Sequence, residues 1–316
     1  MTEPEEKRLA IGATFLEVQR NAVAELNLDP ENWLLAQGTI YPDTIESGGT
    51  KNADKIKTHH NRIPEIDALI EKGLVIESLA DLYKDEVRAV GEALGLAHAL
   101  VWRHPFPGPG LGVRLLCSTG KETLGEEEEG DMKLLKELLP EGCTGHVLPL
   151  KSVGVQGDAR TYRHPAAIEG KALRDYDLAG DLSTQITNSA KQVNRVILHL
   201  GGAGPGGLVT HAVTCTPDRV LVLQQADKVA HTLLHEAGLM AEVWQFPVVL
   251  APLSPDGKTE SVILRPVYSR EAMTAEFARL PWELLDKMTE AILKIEGVTS
   301  VFFDLTNKPP GTIEWE

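Results

Sequence analysis

The apolar positions of this chain fall into two regimes. Near the amino end Ile11, Phe15, Val18, Ala22 and Leu26 step by three or four residues, the period of one helix face. Thr2-x-x-Glu5, with Pro4 between them, has the form of a capping box, so one helix is expected from there to about Asn27. The next apolar runs are short. Trp33-Leu34-Leu35-Ala36-Gln37-Gly38 is stopped by glycine, and Leu74-Val75-Ile76-Glu77 is followed by a helical stretch over residues 85–94 with Val87, Val90 and Leu94 on one face. Strands alternating with helices predict an α/β arrangement with parallel pairing. Two parallel strands are too few to stand alone, because such sheets are buried on both faces and a lone pair leaves open edges. Something else is expected to complete that sheet.

A different pattern follows the stretch His104-Pro105-Phe106-Pro107-Gly108-Pro109-Gly110-Leu111-Gly112-Val113-Arg114. Its prolines fix φ and push each preceding residue out of the α region, which predicts an extended, turning connector without helix. Beyond it, residues 193–200 and 298–305 share the pattern Val-x-x-Val, two apolar residues, x, Leu, at a spacing of 105 positions. Each follows a helical stretch, residues 182–191 and 282–295, and before those helices lie strand-like segments at 152–155 and 262–267. Two related βαβ-type lobes are expected, with extra elements at 220–224, a helix at 227–236 and a strand at 243–250. The fold class is therefore α/β with α+β lobes: an incomplete Rossmann-like parallel sheet in residues 1–103, a connector in 104–148, and the two lobes in 149–316.

Charge narrows the partners. The 316 residues carry 46 acidic against 31 basic side chains, a formal charge of −15, which argues against nucleic acid because phosphate backbones need a cationic face. An RNA-binding reading of the small lobes also lacks aromatic stacking clusters. Part of the excess, Glu126-Glu127-Glu128-Glu129, reads as a solvated loop. Cys117, Cys143 and Cys215 are far apart and form no Cys-x-x-Cys, so neither a disulfide framework nor a structural zinc site is expected, and a reducing cytoplasm is the natural compartment. No apolar run approaches the ~18 residues of a membrane span, and the acidic start Met-Thr-Glu-Pro-Glu-Glu is unlike a signal peptide.

Candidate chemistry gathers in residues 39–61, a loop too long for mere connection. Asp43 and Glu46 are spaced i, i+3, so one helical turn would place both carboxylates on one side, able to hold Mg²⁺ or take a proton. Lys57, His59 and His60 offer donors to phosphate oxygens; as isolated residues any of them would read as solvated surface. Residues 201–207, Gly-Gly-Ala-Gly-Pro-Gly-Gly, look like a phosphate cradle but lack the following Lys-Ser/Thr, and read as a flexible hairpin tip. His231 and His235 stand i, i+4 on a helix, but Thr232 replaces the glutamate of a His-Glu-x-x-His zinc motif. That pair is expected at a core edge or on the surface.

Together, Leu35-Ala36-Gln37-Gly38-Thr39-Ile40-Tyr41-Pro42-Asp43, the Lys-Thr-His-His-Asn run at 57–61, Tyr83-Lys84-Asp85-Glu86-Val87-Arg88, Arg-His-Pro-Phe-Pro-Gly-Pro-Gly-Leu at 103–111, Val153-Gly154-Val155-Gln156-Gly157-Asp158-Ala159-Arg160-Thr161-Tyr162, and the terminal Asp304-Leu305-Thr306-Asn307-Lys308-Pro309-Pro310-Gly311-Thr312-Ile313-Glu314-Trp315-Glu316 resemble glutamine-hydrolysing GMP synthetase. The likeness runs in order along nearly the whole chain and is similar to the longer, eukaryote-type form with a doubled dimerisation region. In that family an amidotransferase domain comes first, followed by an ATP-pyrophosphatase domain opened by a Ser-Gly-Gly-x-Asp-Ser phosphate loop. Here the Ser-Gly-Gly at 47–49 is followed by Thr50-Lys51, so the resemblance implies that the first strands of the pyrophosphatase sheet, the phosphate loop and the glutaminase come from elsewhere. It implies ATP-dependent amination of XMP to GMP through an adenylyl-XMP intermediate, with ATP and Mg²⁺. It assigns Asp43 and Glu46 to Mg-ATP or the reacting oxygen, and Lys57, His59 and His60 to phosphates in a closing lid. XMP would be held by Arg160, Gln225, Lys308, Thr312 and Glu314. The expected partners are a second copy of the chain, a subunit carrying the phosphate loop and a glutamine amidotransferase. The alternative is a non-catalytic XMP/GMP-binding dimer.

Overall fold

A computed structural model describes residues 2–28, 33–41, 69–106, 108–156, 159–269 and 273–316. The chain divides into two compact units, residues 9–103 and residues 1–8 with 104–316.

The smaller unit follows its sequence closely. Helix α1 (Pro4–Glu25) begins in the larger unit and ends two residues before Asn27, whose φ of 51° is the left-handed turn at which helices stop. Strands β1 (Leu35–Ala36) and β2 (Val75–Ile76) pair in parallel, Leu35 with Val75 and Ala36 with Ile76. They are the whole of that sheet among the described residues. Helix α2 (Lys84–Ala93) is capped by Glu86, whose carboxylate accepts the Tyr83 N–H at 2.8 Å, and a single turn, α3 (His98–Val101), follows. Arg88 lies over the Trp102 ring at 4.7 Å. Phe15, Val18, Leu26, Trp33, Leu34 and Leu94 are all exposed, so the apolar stripe of α1 is not covered by the described parts of this unit.

In the larger unit the connector is not wholly extended. Residues 110–114 form a short 3₁₀ turn, because Gly110 takes φ of 66° and Leu111-Gly112-Val113 carries no proline to block the turn. Strand β3 (Ser118–Thr119) is next. The acidic run expected as a loop is the first turn of helix α4 (Glu126–Leu138). Four carboxylates there face the positive end of the helix dipole, and Glu128 accepts the Gly125 N–H at 2.8 Å.

One sheet then holds the unit together. Strands β4 (Thr144–Val147), β5 (Ser152–Gln156) and β6 (Ala159–Glu169) lead into helix α5 (Tyr176–Ser189) and strand β7 (Val193–Gly202). Short strands β8 (Val209–Thr210) and β9 (Ala212–Val213) precede helix α6 (Pro217–Glu236). The apolar run 220–224, expected as an element apart from the helix at 227–236, lies inside α6: Thr216 caps the helix by accepting the Arg219 N–H, and Pro217 takes the first position, where its missing N–H costs nothing. Strands β10 (Val248–Ala251), β11 (Leu253–Ser254), β12 (Glu260–Leu264), β13 (Val267–Tyr268) and β14 (Glu276–Phe277), helix α7 (Trp282–Ile292) and strand β15 (Val298–Asp304) complete the order.

The main sheet runs β10-β12-β15-β7-β6-β4, with β5 paired to β6. The two expected lobes are real but not separate. Each is an antiparallel outer strand, a central strand, a helix and a parallel return strand: β4-β6-α5-β7 and β10-β12-α7-β15. The strand entering α5 is β6, not the segment 152–155. The return strands, which carry the repeated sequence pattern, lie side by side antiparallel, with Phe302 opposite His199 and Asp304 opposite Ile197. Side chains alternate across this sheet. Val196, Leu198, Val262, Leu264, Val301 and Phe303 face the helices, while Ile197, Ile263 and Phe302 face a second cluster that includes Leu116, Leu253 and Trp315. Burial on both faces explains why the strands read as apolar runs without alternation.

Candidate functional site

The carboxyl ends of the parallel strands β12 and β15 open on the same side of the sheet, the usual position of a ligand crevice in α/β folds. The terminal segment, residues 306–316, folds back there. It is fixed by two arginines that are fully buried, Arg195 on β7 and Arg265 just after β12, which share the buried carboxylate of Asp304 at the end of β15. Arg195 Nη1 donates to Asp304 Oδ2 at 2.9 Å, and Arg265 Nε lies 3.3 Å from the same oxygen. Trp315 Nε1 also donates to it at 3.0 Å.

Arg195 is the hub of the loop. Its Nη2 donates to the Val153 carbonyl at 2.9 Å, Thr312 Oγ1 at 2.8 Å and the Glu314 carbonyl at 2.7 Å, and its plane lies 4.8 Å over the Trp315 ring. Arg265 donates to the carbonyls of Thr306 and Thr312. Burial lowers the Arg195 pKa to about 10 despite Asp304, with the neighbouring Arg265 charge adding to the depression. Two guanidiniums on one carboxylate leave the centre cationic, a costly arrangement that fixes one loop geometry.

Strand β5 supplies the floor. Val155 N–H donates to the Pro310 carbonyl at 2.7 Å and Val153 N–H to that of Trp315 at 2.9 Å. Lys308 exchanges both backbone hydrogen bonds with Ala275, at 2.7 and 3.1 Å. A cavity of about 350 Å³ lies beside the loop, between Thr306, Asn307, Pro309 and Pro310 and the α5 residues Ser183, Thr184, Thr187 and Asn188, with Val155 at its base. Glu314 Oε2 is buried without a hydrogen-bond partner. Burial pushes the Glu314 carboxyl above its ordinary range, opposed by the charges of Arg114, Arg8 and Arg195. A buried oxygen with an unused lone pair is suited to accept an N–H or O–H donor from a ligand.

The residues singled out from sequence are thus divided. Lys308, Thr312 and Glu314 are together on the terminal segment. Thr312 Oγ1 accepts from Arg195 Nη2. Arg160, on β6, lies directly across from Val155 and pairs with Glu5 Oε1 at 2.8 Å, an oxygen that Tyr162 also shares. Gln225 is exposed on α6, and no hydrogen bond joins it to the terminal segment among the described residues. Gln245 is buried and its backbone bridges to Val267, which packs with Ala275 and Ile313. Asp43, Glu46, Lys57, His59 and His60 lie outside the described residues. Among the described residues no group of three acidic, histidine or cysteine side chains is arranged to hold a metal ion, and no helix is long and apolar enough to cross a membrane. His231 is half-buried 3.5 Å from Asp227 and His235 is exposed, the surface placement expected. Sequence reasoning missed Arg195, Arg265, Asp304 and Gln245. The available signal was a charge inside an otherwise apolar strand, as in Val-Asn-Arg-Val-Ile-Leu and Val-Phe-Phe-Asp-Leu.

The fold is that of an α/β protein whose terminal segment lines a cavity beside helix α5. Comparison with known proteins shows what the chain is similar to. The GMP synthase C terminal domain matches residues 232–315. The whole chain is 44% identical to a probable glutamine-hydrolysing GMP synthase of Leptospira interrogans and covers 52% of it. It is 34% identical to the GMP synthase of Dictyostelium discoideum over 99% of the chain and 51% of that protein, and 35% identical to one from Corynebacterium glutamicum over the whole chain and 44% of that protein. The chain is similar to GMP synthases along its whole length and spans about half the length of the curated relatives it matches.

Proposed function

We propose that this chain is the XMP-binding, C-terminal portion of a GMP synthase, serving the ATP-dependent amination of XMP to GMP. The observation that carries the reading is the terminal segment: Lys308 and Glu314 stand on one loop whose path is set by Arg195, Asp304 and Arg265, with Glu314 Oε2 buried and unpaired. Lys308 holds the nucleotide phosphate as a point charge, and Glu314 accepts a donor from the base or ribose. Arg160, one strand away from the loop, exchanges Glu5 for a phosphate oxygen, and Gln245 takes the amide role first given to Gln225.

In this reading Mg-ATP is a substrate, and the 2-oxygen of XMP attacks its α-phosphorus, releasing pyrophosphate. Ammonia then displaces AMP from the adenylyl-XMP to give GMP. The residues assigned to the ATP end are Asp43 and Glu46 for Mg²⁺ and Lys57, His59 and His60 for phosphates. A closing cationic lid excludes water until ammonia arrives. The two-stranded parallel sheet β1–β2 supports a need for further strands, and in this reading the phosphate loop and the glutaminase belong with them. A second copy of the chain and a cytoplasmic site belong to the same proposal.

The test is an amination assay with XMP, Mg-ATP and ammonium, with and without a polypeptide carrying the family's phosphate-loop half. GMP formed only in the mixture supports the reading. XMP binding without GMP in any mixture would instead favour a non-catalytic XMP/GMP-binding module.

A further inference from the structure

Cys117 and Cys215 were set aside in the sequence as distant, unrelated thiols. The fold brings them into contact. Strands β3 and β9 pair antiparallel, Ser118 with Val213, and the residues just beyond each strand place the two Sγ atoms 3.8 Å apart. Cys117 is buried and Cys215 is exposed, so one sulfur meets solvent and the other waits behind it.

The surroundings favour a thiolate at the exposed position. Cys215 immediately precedes Thr216, the N-cap of the 20-residue helix α6, where the helix dipole favours negative charge. The buried Cys117 thiol hydrogen-bonds to it, which lowers the Cys215 pKa to about 6, with Lys7 and Arg219 adding to the effect. The same hydrogen bond, with burial, pushes the Cys117 thiol well up and keeps it protonated.

We propose that Cys215 is an oxidant-sensitive modification site, with Cys117 as the resolving thiol, and that the disulfide they form disturbs the seat of the terminal segment. The oxidant is hydrogen peroxide. The Cys215 thiolate attacks one peroxide oxygen; the S–O bond forms, the O–O bond breaks, and the departing hydroxide takes a proton to leave as water. Cys117 then gives up its proton and its Sγ bonds to Cys215 Sγ, while the S–O bond breaks and releases a second water. Two thiols are oxidised and one peroxide is reduced to two waters, reversibly by a small dithiol.

The structural consequence follows from what holds residues 115–117. The carbonyls of Leu115 and Leu116 accept from Lys7 Nζ at 2.6 Å and Arg219 Nη2 at 2.7 Å. The Cys117 N–H donates to Glu316 Oε1 at 3.4 Å, and Glu316 in turn pairs with Lys7. Closing the sulfurs from 3.8 Å to the ~2 Å of a disulfide pulls this segment from Glu316, two residues from Glu314.

The experiment treats the purified full chain with hydrogen peroxide and follows each cysteine by peptide mass spectrometry. Cys215 is expected to react at least about tenfold faster than Cys143 at neutral pH and to appear as a linked 117–215 peptide that dithiothreitol releases. In Cys117→Ser the oxidation is expected to stop at a dimedone-trapped sulfenic acid on Cys215. Equal reactivity of Cys143 and Cys215 in the wild-type chain, or a link through Cys143, would overturn the proposal without reliance on any variant. Its second half rests on the XMP reading: oxidation is expected to weaken XMP binding by at least about fivefold. A fully linked chain with unchanged XMP affinity would overturn the coupling, whereas a reduced chain that never binds XMP would count against the XMP reading alone.

Discussion

Arg195 and Asp304 stand on the two repeated strands, one in each lobe, and their 2.9 Å ion pair crosses the seam where β7 meets β15. The first lobe therefore builds the second lobe's loop. Its β5 supplies backbone donors to Pro310 and Trp315, and its Arg195 supplies the guanidinium that orders Thr312 and Glu314.

Arg195→Ala is expected to lose about 3–5 kcal/mol of stability, because it removes the buried donors to Asp304 and to the Val153 and Glu314 carbonyls and leaves a cavity beside Trp315. Urea denaturation measures this. A loss under about 1 kcal/mol would mean that the seam does not depend on the pair.

The seam also fixes a glycine. Gly202 has φ of 89°, and a Cβ there would lie 2.1 Å from the Thr299 carbonyl oxygen, where Gly202 pairs with Ser300 in the β7–β15 ladder. Gly207 has φ of 91° with open space around it. Gly202→Ala is expected to be destabilising by about 2 kcal/mol or more and Gly207→Ala by about 1 kcal/mol; thermal melts of the two variants side by side check the order.

Glu314 links stability to pH. Its folded pKa is raised by burial, so the folded chain holds a proton that the unfolded chain releases at its ordinary 4.5. That contribution is complete below about pH 4.5 and is lost as pH rises through the raised folded value, so stability falls across the window. Glu314→Gln is expected to flatten this slope, to be at least as stable as the wild type at neutral pH, and to weaken XMP binding. A variant less stable at pH 7 with unchanged XMP affinity would contradict both roles.

The repeat was legible because residues 193–200 and 298–305 are buried on both faces and keep their apolar pattern. The joining of the lobes was not, since nothing in a strand's own residues states which edge it will share. The same limit applies to Gln245, whose backbone bridge to Val267 depends on how β13 runs past it. The acidic run at 126–129 was misread because four carboxylates serve a helix start as well as they serve a loop. Of the predicted site, the terminal segment was readable from Lys308 and Glu314, whereas its scaffold, Arg195 with Arg265 and Asp304, depends on three strands meeting.

The central claim is that the terminal segment binds XMP, and calorimetric titration of XMP into the chain, wild type beside Lys308→Ala, tests it most directly. Saturable binding by the wild type, weakened at least about tenfold by Lys308→Ala in a chain with an unchanged melt, is the expected result. Equal affinity in both, or no binding by a folded chain even with the phosphate-loop half present, would contradict it.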